Sequence, residues 1–187
     1  MTAKKMALVV AMVLLPSLAF GSAVTYSTSG SVTGASFIVY QGVSSRHIPA
    51  NQIPASNVSF GKLKITCAAA SCTPAAGATL TVTISETLPG VGTGSTSAAL
   101  TGTFTQTSGG TLTLVWSGPV SITAGGVTTI YTPVTTTVNC VHGLCDEPLR
   151  VNISQTTVPE PSTELLLGLG TLGLIGLATA SRKLIST

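Results

Sequence analysis

The chain has 187 residues, of which 7% are charged and 4% aromatic, with 20 glycines, 10 prolines and a formal net charge of +3. Residues 24–157 hold four basic side chains (Arg46, Lys62, Lys64, Arg150) against three acidic ones (Glu86, Asp146, Glu147), a net of +1. A surface so poor in charge, with no basic patch interleaved with aromatics, excludes nucleic acid as a partner.

The chain opens on a secretory pattern. Lys4 and Lys5 precede an apolar run over residues 6–15, Pro16 ends that run, and small residues follow at the spacing a signal peptidase needs. Ala19-Phe20-Gly21 and Gly21-Ser22-Ala23 both suit the enzyme. Cleavage is expected after Ala23, making residues 1–23 a signal peptide. A run this short, broken by proline, is a poor retained anchor.

Residues 24–157 are long enough for one domain, and their pattern is that of strands. Leu80, Val82 and Ile84 alternate with Thr79, Thr81, Thr83 and Ser85. Leu112, Leu114 and Trp116 alternate with Thr111, Thr113 and Val115, and similar alternation runs over 134–138 and 149–154. Period two puts one face in a core and the other in water. The segment from Val58 to Cys67 changes phase at Gly61-Lys62, as a β-bulge requires. Ser108-Gly109-Gly110 predicts a tight turn between strands. The Ser/Gly/Thr-rich stretches 21–34 and 88–97 read as loops. Short strands at this spacing, without a helical period between them, predict an all-β ectodomain built as an antiparallel β-sandwich.

Four cysteines fall in two equal spacings, Cys67-Ala-Ala-Ala-Ser-Cys72 and Cys140-Val-His-Gly-Leu-Cys145. An even count in an exported chain implies disulfides, and four cysteines permit three connectivities. The expected pairing is local, each bridge closing a short loop for about 2 kcal/mol. A zinc site from these cysteines and His142 is the alternative, but zinc ligands are usually spaced more closely and export favours oxidation.

Catalytic constellations are scarce. Glu86 and Asp146 could be imagined as the paired carboxylates of a glycosidase, but the acids read more simply as solvated surface groups. His47 and His142 have no Gly-x-Ser-x-Gly elbow to serve. His47 reads as part of a surface loop. Asn57-Val58-Ser59 and Asn152-Ile153-Ser154 match the glycosylation sequon by chance. No enzymatic activity and no cofactor or metal are expected.

The chain ends on a second signal. Val158, Pro159, Glu160, Pro161, Ser162 and Thr163 precede an uncharged run over residues 165–180, then Arg182 and Lys183. As a helix those sixteen residues would span about 24 Å, somewhat short of a hydrocarbon core of about 30 Å. The two basic residues would close the gap by snorkelling. Charges outside both apolar segments place both ends on the cytoplasmic side and residues 24–157 across the membrane.

This order of residues, from Val158 to Lys183, resembles the PEP-CTERM sorting tail of Gram-negative bacteria. The resemblance implies recognition of Pro159, Glu160 and Pro161 by an exosortase, a membrane-embedded cysteine protease of transpeptidase type, after transient residence of residues 165–180 in the inner membrane. Glu164, where an apolar residue is more usual, and a basic cluster of only two depart from that pattern. The resemblance favours a structural component of the cell surface or of an exopolysaccharide matrix. A carbohydrate-binding or adhesive module would normally expose aromatics for stacking on sugars, yet Trp116, Tyr26, Tyr40 and Tyr131 are the only Trp and Tyr. A third reading comes from threonine rows. Thr101, Thr103, Thr105 and Thr107 share one strand face, with Thr111 and Thr113 across the turn and Thr79, Thr81 and Thr83 in a second row. Such rows resemble the ice-contacting faces of some β-structured antifreeze proteins, and this tail also occurs on some ice-binding proteins. Threonine is also simply a favourable residue for an exposed sheet.

Overall fold

The computed structural model describes residues 21–141 and 144–157. The signal peptide up to residue 20, the sorting motif Val158 to Thr163, the apolar run 165–180, Arg182, Lys183 and His142 lie outside the described residues. Among the described residues no helix is long and apolar enough to cross a membrane.

Among the described residues, eleven strands make two antiparallel sheets: β1 (Val24–Thr33), β2 (Ile38–Gln41), β3 (Arg46–Ile48), β4 (Ala55–Thr66), β5 (Thr79–Leu88), β6 (Gly92–Thr105), β7 (Gly109–Trp116), β8 (Val120–Ala124), β9 (Val127–Pro133), β10 (Thr137–Cys140) and β11 (Leu144–Thr157). The first sheet runs β10-β7-β6-β5-β1-β3 and the second β2-β4-β11-β9-β8. Their inward faces merge in a single hydrophobic cluster. Three aromatic pairs cross between the sheets edge to face: Tyr26 on Tyr131, Phe37 on Phe104, and Phe60 on Trp116. Each buried side chain of this size stabilises the fold by about 1.5–3 kcal/mol.

The alternating segments form the expected strands. Leu80, Val82 and Ile84 point inward from β5, and Leu112 and Leu114 do so from β7. The phase change in β4 is a bulge: Gly61 pairs with Leu149, and the next pair is Ser59 with Arg150. Phe60 and Gly61 therefore both face the core. Gly61 holds φ at +117°, and a Cβ there would lie 2.5 Å from the Tyr40 hydroxyl, so the position requires glycine.

Four expectations are corrected. Residues 24–33 and 92–97 are strands rather than loops. In 92–97 the alternation is hidden because Gly92 and Gly94 take inward positions; in 24–33 Thr28 and Gly30 interrupt the inward row begun by Val24 and Tyr26. A Cβ on Gly94 would meet Val120 Cγ1 at 2.4 Å, and one on Gly92 would meet Ile122 Cγ2 at 2.5 Å. Large residues of the second sheet fill the space these glycines leave. The segment 134–138 is not one strand: residues 134–136 cross from β9 in the second sheet to β10 in the first. Trp116 Nε1 donates to the Thr135 carbonyl at 2.7 Å and pins that crossover. The β6–β7 turn occupies residues 106–108, so Thr107 leaves the strand row, while Gly109 supplies the positive φ of 74° and Gly110 joins the ladder.

The fourth correction concerns Glu86, which is 1% exposed. It continues the inward parity of Leu80, Val82 and Ile84. The Thr129 hydroxyl donates to Oε1 at 2.9 Å and the Tyr131 hydroxyl to Oε2 at 3.1 Å. Removal from water raises its pKa above the ordinary 4.5, and the two hydrogen bonds offset only part of that rise.

Two outcomes are expected. Gly94→Leu should lower the unfolding free energy by about 3 kcal/mol, whereas Ser95→Leu, on the outer face, should change it by less than about 0.5 kcal/mol; denaturant titration reads both. For Glu86 the folded state binds its proton more tightly than the unfolded state. The stability it contributes is therefore greatest below the ordinary glutamate range and falls as pH rises from about 4.5 towards the raised value. Unfolding followed across that window should show this decline in the natural protein and lose most of it in Glu86→Gln. Glu86→Leu should instead cost about 1–3 kcal/mol at all pH values by orphaning two buried hydroxyls.

Candidate functional site

The outer face of the first sheet is a sheet of hydroxyls. On β1 the outward residues are Thr25, Ser27, Ser29, Ser31 and Thr33. Their register places Ser29 beside Thr83 and Ser95, Ser31 beside Thr81 and Ser97, and Thr33 beside Thr79 and Ala99. Further along, Thr101 lies beside Thr113 and Thr137, and Thr103 beside Thr111 and Asn139. The two threonine rows of β5 and β6 thus share one face. Neighbours lie about 4.8 Å apart between strands and about 6.7 Å apart along them. Hydrogen bonds link some pairs, Thr33 with Thr79 at 2.8 Å and Thr111 with Asn139 at 2.8 Å. No Asp, Glu, Lys or Arg points outward from β1, β5, β6, β7 or β10.

Charge gathers on the other sheet. Lys62 and Lys64 project from β4, and Asp146, Glu147 and Arg150 lie on β11 alongside. Lys62 Nζ meets Asp146 Oδ2 at 2.7 Å, the one ion pair among the described residues. Both members are about half exposed, so the pair adds little stability.

The tyrosines are structural. Tyr26, Tyr40 and Tyr131 are all buried. Tyr26 donates to the Ser59 carbonyl, and Tyr40 donates to the Phe60 carbonyl while lying 2.8 Å from Thr28 Oγ1. Burial pushes the Tyr40 hydroxyl up to about 12 and those of Tyr26 and Tyr131 higher still. Trp116 is half-buried, packed on Phe60. None of these rings forms an exposed stacking platform.

The cysteines close locally. Cys67 bonds Cys72, with Cα atoms 5.8 Å apart, and Cys140 bonds Cys145, with Cα atoms 5.1 Å apart. The first loop docks on β6, where Cys72 and Phe104 exchange both backbone hydrogen bonds. The second bridge fastens the return from β10 to β11. With all four cysteines consumed no thiol remains, and no cluster of three metal-ligating side chains occurs among the described residues.

The acids suggested by the sequence are not brought together: Glu86 is sealed in the core while Asp146 faces solvent beside Lys62. His47 is exposed on β3, with Nδ1 2.9 Å from Thr25 Oγ1. Sequence reasoning missed both the burial of Glu86, which strand parity could have revealed, and a groove between β3 and β4 lined within residues 46–58.

The domain's two ends meet. Ser22 N donates to Gln155 Oε1 at 2.8 Å, and β11 ends at Thr157, where the Pro-Glu-Pro segment follows. No curated protein and no solved structure matches the chain. One family model does, over residues 157–183. By that match the chain carries the PEP-CTERM protein-sorting motif, which implies an exported protein sorted to the cell surface through processing by an exosortase membrane enzyme.

Proposed function

We propose that the protein is a non-enzymatic structural component of the cell surface or exopolysaccharide matrix of a Gram-negative bacterium. In this reading signal peptidase removes residues 1–23, and residues 24–157 form a β-sandwich ectodomain. Residues 165–180 hold it in the inner membrane until an exosortase acts at Pro159, Glu160 and Pro161. The observation that carries the reading is the sorting motif over residues 157–183, joined directly to a domain with two local disulfides. The buried and separated acids support a role without catalysis: Glu86 has no access to a substrate. A wide uncharged hydroxyl face suits contact with hydrated polymer, since hydroxyls exchange hydrogen bonds with sugars at little net cost.

The merging of the threonine rows on one face favours a second reading, ice binding. Sheet twist works against lattice matching over so many strands, so the matrix role comes first. The purified protein is expected to show neither thermal hysteresis nor inhibition of ice recrystallisation. Activity lost on replacing Thr103 and Thr81 with bulky residues would reverse the order.

Glu160→Ala tests the sorting step. It should leave export intact and stop C-terminal processing, leaving a heavier chain in the inner-membrane fraction. Identical mass and fractionation of the natural and substituted proteins would make the tail a plain anchor.

A further inference from the structure

The seam between edge strand β3 of the first sheet and β4 of the second opens into a groove of about 540 Å³. Arg46, His47, Gln52, Ser56 and Asn57 supply its polar lining. Arg150 of β11 lies beside its wall, its Nη1 donating to the Asn57 carbonyl at 3.3 Å. Two observations set this groove apart. First, the other two cations of the domain, Lys62 and Lys64, face Asp146 across the β4–β11 ladder, whereas Arg46 and Arg150 form no ion pair among the described residues. Arg46 and Arg150, two cations without an ion pair among the described residues, thus lie in and beside one concave place. Second, among the described residues the non-glycine residues with positive φ are Ser45 (47°), immediately before Arg46, and Asn57 (55°), in the groove wall. Asn57 sits at a second irregularity of β4, between the pairs Val58–Val151 and Ala55–Ile153, and its amide donates to Asn152 Oδ1 at 2.9 Å. Left-handed backbone at such residues costs about 1 kcal/mol or more and collects at binding sites, as bulges do.

From this juxtaposition we propose that the groove binds a carboxylated sugar, a uronate unit of an anionic polysaccharide. Guanidinium groups bind carboxylate through paired hydrogen bonds, and Gln52, Ser56 and Asn57 offer neutral partners for ring hydroxyls. The volume lies in the range of small-ligand sites, about 300–1,000 Å³. No Phe, Tyr or Trp lines the groove, so a neutral sugar would find no large ring to stack on and charge is the main handle. Two arginines suit one isolated carboxylate. They are too few for a phosphate backbone carrying a charge roughly every 3.4 Å per strand.

The inference deepens the matrix reading by naming a polymer chemistry, and it rests on that reading only for the source of the sugar. The test uses purified full-length protein and calorimetric titration with tetragalacturonate, and with maltotetraose as the neutral counterpart. The acidic oligomer should bind at least tenfold more tightly, with affinity falling as salt rises. Arg46→Gln and Arg150→Gln should each weaken binding about tenfold, and Lys64→Gln, outside the groove, should leave it unchanged. Equal binding of both oligomers, no binding of tetragalacturonate at millimolar concentration, or equal loss in Lys64→Gln would overturn the assignment. So would tighter binding of glycerol 3-phosphate, which would point to a lipid headgroup. The comparison of the two oligomers on the unsubstituted protein decides the matter even where an arginine variant does not fold. Because Glu160→Ala reads processing and not sugar binding, failure of the sorting role and failure of the groove are separable.

Discussion

The bulge at Phe60-Gly61 is the constraint on which the seam between the sheets depends. By turning two consecutive residues inward, it brings Phe60 against Trp116 of the opposite sheet. It also frees the Ser59 and Phe60 carbonyls to accept the Tyr26 and Tyr40 hydroxyls. Thr28 joins the same carbonyl at 3.2 Å and receives the Val43 amide at 2.9 Å, so β1, β2, β4 and the loop before β3 are fastened at one point. A buried tyrosine hydroxyl without a partner costs about 1–3 kcal/mol; here the bulge supplies both partners. β3, and with it Arg46, is placed by the same assembly.

The core is filled by complementarity across the sheets more than by bulk within either. Small inward residues of β1 and β6 (Gly30, Gly92, Gly94, Ala98) lie opposite the rings and branched chains of the second sheet. That arrangement explains where the sequence was legible. Strands β5, β7 and the later part of β11 announce themselves because their inward positions are large and apolar. β1 beyond Tyr26 and the start of β6 do not, because threonine and glycine (Thr28, Gly30, Gly92, Gly94) continue the inward parity and a hydrophobic pattern cannot register the absence of a side chain. Glu86 was legible in principle, since it falls at the next even step after Ile84. Its polarity concealed its position, and only Thr129 and Tyr131, more than forty residues away, explain how a carboxyl is tolerated there. The local cysteine pairs and the sorting segment could be read directly, being short-range patterns. The groove beside Arg46 and Arg150 could not, because β3, the turn at 49–54 and an irregular stretch of β4 have to fold against each other, with β11 behind, to make it.

The resulting molecule has two chemically different sides. Strands β1, β5, β6, β7 and β10 present outward only hydroxyls, small side chains, Asn139 and Val115; the other sheet carries Lys62, Lys64, Asp146, Glu147 and Arg150. A charge-free face resists strong attraction to ions or charged polymers and stays wetted through its hydroxyls. Electrostatic selectivity is thereby confined to the opposite sheet and the seam, where salt screening over about 8–10 Å leaves close contacts the most effective.

The meeting of Ser22 with Gln155 has a mechanical consequence. The N-terminal entry and the exit after Thr157 share one pole, while both disulfides lie at the other, where Cys72 borders Phe104 and Cys140 borders Gly110. A domain held by its C-terminal tail and loaded at its far pole feels tension along β11. That strand pairs with β4 over residues 144–153 and with β9 over residues 151–157, so a load parallel to it shears many backbone hydrogen bonds at once, where an edge strand would peel one bond at a time. The two bridges stop the far pole from paying out slack. Held by its tail, the domain would resist load best along the line from that tail to its disulfide-bearing end.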